Sequence, residues 1–107
     1  MAEGLIDLET ANLDEHVSSG VALVDFWATW CGPCKSQTPI LEKVKASVGE
    51  KASIIKVDVD KLPELAAQHG VRSIPTLILF KEGEIVKTMV GLQKQPDLEE
   101  LILSNVD

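Results

Sequence analysis

The segment Val21-Ala22-Leu23-Val24-Asp25-Phe26-Trp27-Ala28 is apolar at all but one position rather than alternating. That pattern predicts a central strand covered on both faces. Ser53 to Val59, β-branched and mostly apolar, predicts a second interior strand. From Pro39 onward the period changes: Ile40, Leu41, Val44 and Val48 share one helical face, while Glu42, Lys43 and Lys45 fall elsewhere. This predicts a helix of about four turns over Cys34 to Gly49, kinked at Pro39.

The rest of the chain is read from punctuation. Asn12, with Glu15 three positions later, predicts a capped short helix running toward Gly20. Pro63 suits a first helical turn, Leu65, Ala66 and the stem of His69 share a face, and Gly70 stops that helix. Thr76 to Lys81, the turn Glu82-Gly83 and Glu84 to Val90 predict a β-hairpin. Pro96-Asp97 opens a terminal helix whose apolar stripe is Leu98, Leu101 and Ile102. With a first strand near Leu5 to Leu8, the order is strand, helix, strand, helix, strand, helix, hairpin, helix. That is an α/β sandwich on one mixed sheet of about five strands with about four helices.

At 107 residues the chain is expected to be a single domain over 1–107. A domain of that size hides roughly two-thirds of the surface of its unfolded chain, so it needs neither a disulfide framework nor a structural metal to fold. The net charge of −7 sets the protein as a whole against phosphate backbones, so neither nucleic acid nor anionic membrane is an expected partner. No apolar run approaches spanning length, and the N-terminus lacks the basic-then-apolar order of a secretory signal, which leaves a reducing cytoplasm as the expected location. In that setting two cysteines point to catalysis or metal binding rather than to stapling.

The chemistry concentrates in Trp27-Ala28-Thr29-Trp30-Cys31-Gly32-Pro33-Cys34-Lys35, where a buried strand hands over to a helix. Unpaired N–H groups and the dipole at a helix N-terminus favour an anion, so the Cys31 thiol should ionise more readily than a free one. The dipole supplies roughly 0.3–2 kcal/mol, about one pKa unit. A hydrogen bond from the Cys34 thiol would add to it. Such a thiolate attacks a substrate disulfide, and the second cysteine resolves the mixed disulfide by forming Cys31–Cys34. A structural staple is the weaker reading, since closing so short a loop is worth only about 2 kcal/mol in the chain-entropy model. A zinc site would need two further ligands, and His16 and His69 lack the paired spacing of a zinc module.

Over essentially its whole length the chain resembles the thioredoxin family. Trp30-Cys31-Gly32-Pro33-Cys34-Lys35 reproduces the family's redox motif, Val24-Asp25-Phe26-Trp27-Ala28 its preceding strand, and Ile74-Pro75-Thr76 its facing loop. The resemblance implies a thioredoxin fold and a protein-disulfide reductase working through the Cys31/Cys34 dithiol. Gly32 and Pro33 between the cysteines resemble the reducing members more than the isomerases and oxidants. It further implies no bound cofactor beyond the redox-active disulfide, a monomer, a partner thioredoxin reductase as electron donor, and disulfide-containing target proteins. The alternative from a different class is a non-catalytic thioredoxin-like scaffold or binding subunit using the same surface.

Asp25 interrupts an apolar interior strand, and a carboxylate taken out of water without full pairing resists ionisation. The resemblance assigns it as proton acceptor for Cys34; the alternative is a satisfied structural residue paired with Lys56. The resemblance also implies a cis Pro75 facing the cysteines, leaving the backbone of Ile74 free to pair with an extended substrate. It assigns Trp30, Gly32, Pro33, Ile74, Pro75, Val90 and Gly91 to an apolar contact surface. Trp27 is expected to pack against the active-site helix, Lys35 to be a solvated first-turn residue, and Asp58 and Asp60 a solvated strand end. Two stretches depart from the family pattern: Thr29, and the polar run Ser36-Gln37-Thr38 after the motif lysine. Both bear on partner preference.

Overall fold

The computed structural model describes residues 3–107. Its ten elements are β1 (Ile6–Asp7), α1 (Asp14–Val17), β2 (Val21–Trp27), α2 (Gly32–Val48), a 3-10 turn (Gly49–Lys51), β3 (Ala52–Asp58), α3 (Pro63–Gln68), β4 (Thr76–Lys81), β5 (Glu84–Val90) and α4 (Gln95–Leu103). The strands form one mixed sheet in the order β1-β3-β2-β4-β5, with β1, β3 and β2 parallel and β4 and β5 antiparallel to their neighbours. Among the described residues no helix is long and apolar enough to cross a membrane.

The nearly continuous apolar run of β2 has its explanation in this order: β2 lies between β3 and β4 and is covered on both faces. Val21 and Leu23 face Leu41, Val44 and Val48 of α2 and Leu98 and Ile102 of α4. Ala22, Val24 and Phe26 face Val17 of α1 and Leu65 and Ala66 of α3. Successive strand residues point to opposite faces, so Asp25 falls on the α2 side.

The hairpin closes as its sequence demands. Glu82 and Gly83 have φ of 52° and 82°, the left-handed pair that a two-residue turn needs to match the twist of its strands. Val86 is the extra residue between the Leu79–Lys87 and Phe80–Ile85 pairs, a bulge in an edge strand whose only buried residue is Met89.

Three local expectations are corrected. Asn12 caps nothing: α1 begins after Leu13, has no side-chain cap, and ends at Val17 rather than near Gly20. The first strand is only two residues long, flanked by buried Leu5 and Leu8. The active-site helix starts at Gly32, because Cys31 itself serves as its N-cap and Pro33 occupies the first turn, where a missing N–H costs nothing. Pro39 lies inside that helix as expected, and the helix runs on as a single element to Val48.

Candidate functional site

The register of the sheet gathers one end of three strands. Phe26 pairs with Thr76, and Thr76 pairs with Val90, so the exit of β2, the entry of β4 and the exit of β5 meet at one edge. Beyond these ends lie Cys31, Pro75 and Gly91. The Ile74–Pro75 peptide is cis. Gly91 N–H donates to the Pro75 carbonyl at 2.8 Å, tying the end of β5 to the proline loop. Gly91 holds a φ of 92°, a conformation that side-chain-bearing residues rarely adopt.

Cys31 and Cys34 form a disulfide with a Cα–Cα separation of 5.2 Å. The two sulfurs are not equivalent. Cys31 retains 5% of its surface while Cys34 has none, so an incoming disulfide meets Cys31 first. Cys31 Sγ also accepts the Cys34 backbone N–H at 3.2 Å. That N–H is one of the unpaired donors of the first helical turn, and in the reduced form it supports negative charge on the same sulfur. The Ile74 carbonyl oxygen lies 3.8 Å from Cys31 Sγ. Ala28, Trp27, Val59 and Ile74 pack around the pair.

Asp25 is fully buried, and neither of its carboxylate oxygens has a hydrogen-bond partner. Burial raises its pKa to about 7, against a smaller opposing pull from the Lys56 ammonium. Lys56 is the residue opposite Asp25 in the β2–β3 register, but it does not satisfy it. Its Nζ donates to Thr38 Oγ1 at 2.7 Å and sits 3.8 Å from the centre of the Trp27 ring. The alternative reading of Asp25 as a satisfied structural residue therefore does not hold: Asp25 is a buried acid without a donor. Burial in turn lowers the Lys56 pKa, opposed by Asp25 first and then by Asp7, Glu42 and Asp58. A cleft of about 520 Å³ lined by Trp27, Thr38, Lys56 and Asp58, among others, opens beside this pair.

Trp30 is 68% exposed and Val90 64%, so both present apolar surface around Cys31. The Trp30 indole is not loose, because its Nε1–H donates to Asp60 Oδ2 at 2.8 Å. Asp58 is buried, and its Oδ1 accepts the N–H groups of Asp60 and Lys61. The expected solvated strand end holds for Asp60, which is exposed, but not for buried Asp58, and the two form a small scaffold for Trp30. Gly32, Pro33 and Lys35 are exposed on the first turn of α2, and Ile74 is half-buried above Pro75. No cluster of metal-ligating side chains occurs among the described residues.

The thioredoxin family model matches residues 4–104. The chain belongs to the thioredoxin family. Thioredoxins from Staphylococcus haemolyticus and Staphylococcus aureus are each 50% identical to it over 98 residues, 92% of this chain and 94% of theirs. A solved mutant thioredoxin from Halobacterium salinarum superimposes with a TM-score of 0.88 at 38% identity, covering 99% of this chain and 94% of that one. The fold is accordingly the thioredoxin fold, and the activity is thiol–disulfide exchange of the protein-disulfide reductase type.

Gln37, Thr38, Gln93 and Asp60 escaped sequence reasoning as parts of this site. For Gln37 a signal existed. Cys34, Gln37, Leu41, Val44 and Val48 follow a helical stripe, and all five are buried, so position 37 points inward despite being polar.

Proposed function

We propose that the reduced chain attacks protein disulfides through Cys31 and completes the exchange through Cys34, with Asp25 receiving the Cys34 proton. The difference in exposure between the two sulfurs, with the Cys34 N–H directed at Cys31 Sγ, carries this reading. In the first step the Cys31 thiolate breaks the substrate S–S bond, forms a mixed disulfide and releases one substrate thiolate. The Cys34 thiol then loses its proton, its sulfur displaces the second substrate thiolate from Cys31, and the Cys31–Cys34 disulfide closes. Two electrons leave the dithiol and reduce the target. Asp25 suits the proton step because it sits on the α2 face of the sheet with a pKa near the working pH.

The apolar rim of Trp30, Ile74, Val90 and Gly91 around Pro75 is the substrate surface in this reading, with the Ile74 backbone pairing to an extended segment beside the target disulfide. Gly32 and Pro33 tune the dithiol by shaping the first helical turn. We infer a single working unit over 1–107, a monomer, that carries electrons from a thioredoxin reductase in the cytoplasm and takes no cofactor besides its own disulfide. The acidic charge supports the exclusion of nucleic acid and anionic membranes as partners.

The test is reduction of insulin followed by turbidity with dithiothreitol in excess, together with trapping. Cys31→Ser abolishes turnover, and Cys34→Ser accumulates a mixed disulfide at Cys31. Turnover surviving Cys31→Ser, or trapping at position 34 instead, contradicts the assignment; a scaffold would keep its biological activity without Cys31.

A further inference from the structure

We propose that Gln37 is a positioning residue that fixes the Val90–Gln93 rim and so sets the preference of the site for extended protein disulfides. The inference rests on the reading of Val90 and Gly91 as substrate contacts. Gln37 sits three residues after Cys34 on the inner face of α2 and is fully buried. A buried amide is costly unless both of its ends are paired. Here both ends go to the same residue: Gln37 Nε2–H donates to the Gln93 carbonyl at 3.0 Å, and Gln93 N–H donates to Gln37 Oε1 at 2.7 Å. The side chain thus imitates one rung of an antiparallel ladder, joined across 56 residues of sequence.

The clamp is continuous with the site. Gln93 Nε2–H donates to the Gly91 carbonyl at 3.0 Å, and Gly91 N–H donates to the Pro75 carbonyl. From the helix that carries Cys34 to the proline loop, every link is a hydrogen bond. Val90, the last residue of β5, and Leu92, between Gly91 and Gln93, are 64% and 50% exposed. Val90 is held by its pairing with Thr76, whereas an apolar side chain at Leu92 on an untethered loop would lower its exposure by folding inward. The Gln37 rung holds the backbone beyond β5 so that Leu92 stays presented at the rim. A small disulfide needs only the sulfur, whereas a polypeptide disulfide with an apolar flanking residue also needs that rim.

The experiment compares wild type with Gln37→Met, which keeps the length of the side chain and removes both hydrogen bonds. With reductant in excess and insulin as substrate, KM rises roughly five- to tenfold while kcat changes less than about twofold, the pattern of lost binding rather than lost chemistry. Amide exchange at Gln93 accelerates in the same variant. Gln93→Ala, which keeps the backbone rung and cuts only the side-chain links to the Gly91 and Val90 carbonyls, raises KM by a smaller factor. Unchanged KM with faster Gln93 exchange overturns the proposal, as does a parallel fall in kcat and thermal stability. Should Gln37→Met fail to fold, the test passes to Gln93→Ala, and an unaltered KM there overturns it. Failure of the wild type to reduce insulin at all would instead strike the functional reading beneath it.

Discussion

Asp25 lies directly opposite Lys56 in the β2–β3 register, yet Lys56 directs its hydrogen bond to Thr38 and leaves both Asp25 oxygens without a donor. The lysine acts on Asp25 only through its charge, which is too weak an opposing influence to cancel burial, and the acid comes to rest near pH 7. Thr38 in turn approaches the Cys34 carbonyl through its hydroxyl, at 3.4 Å. The departure of this chain at Thr38 therefore helps decide where the lysine charge sits.

The buried acid makes stability fall with rising pH. The folded pKa of Asp25 is about 7, against the 3.8 of an unperturbed aspartate, so between those limits the folded state binds more protons than the unfolded one. The contribution is fully present below the unfolded pKa and is lost as pH rises through the folded value. Asp25→Asn matches wild type near pH 4 and is more stable by up to about 4 kcal/mol above pH 8. Urea unfolding across that range checks it; a difference independent of pH would refute the buried-acid account.

The same variant slows resolution of the mixed disulfide. Wild-type turnover should rise with pH through about 7 as Asp25 ionises, and Asp25→Asn should lose that limb while retaining attack by Cys31. Stopped-flow measurement of the two steps separates them. Equal rates of resolution from pH 6 to 9 would retire Asp25 as the base.

Replacing Lys56 by Met removes the one charge that holds the Asp25 pKa down, so the inflection assigned to Asp25 moves to higher pH. The hydrogen bond to Thr38 and the contact with Trp27 disappear with it. Titration of Asp25 by carbon NMR in both proteins reads the shift, and an inflection that stays in place or moves downward contradicts the coupling.

Asp60→Ala frees the Trp30 indole from its hydrogen bond. Because the pair lies on the surface, stability changes by less than about 1 kcal/mol. The expected signature is greater mobility of Trp30, read as faster fluorescence depolarisation in a variant that carries Phe at position 27, and a higher KM for insulin. Unchanged depolarisation would show that Asp60 does not hold the ring.

Gly91→Ala places a Cβ at φ 92°, where no neighbouring atom obstructs it but the backbone itself is strained. The cost is about 1–2 kcal/mol. Thermal unfolding measures the loss, and a neutral substitution would mean that the loop relaxes to negative φ.

The sequence by itself determined the elements and the reactive pair. Nearly continuous apolar runs marked the interior strands, the β4–β5 hairpin was written in Glu82-Gly83, and two cysteines at a strand-to-helix junction specify dithiol chemistry through local physics, the unpaired N–H groups of one helical turn. Only the tertiary structure decided what the polar side chains face. Whether Lys56 pairs with Asp25 or with Thr38, whether Asp60 meets water or Trp30, and whether Gln37 is an exposed residue or a clamp on Gln93 all depend on contacts between elements 18 to 56 residues apart. Hydrophobic burial is non-directional and leaves a periodic trace in the chain. A hydrogen bond between distant side chains requires a particular distance and angle, and those exist only once the sheet register and helix packing have been set.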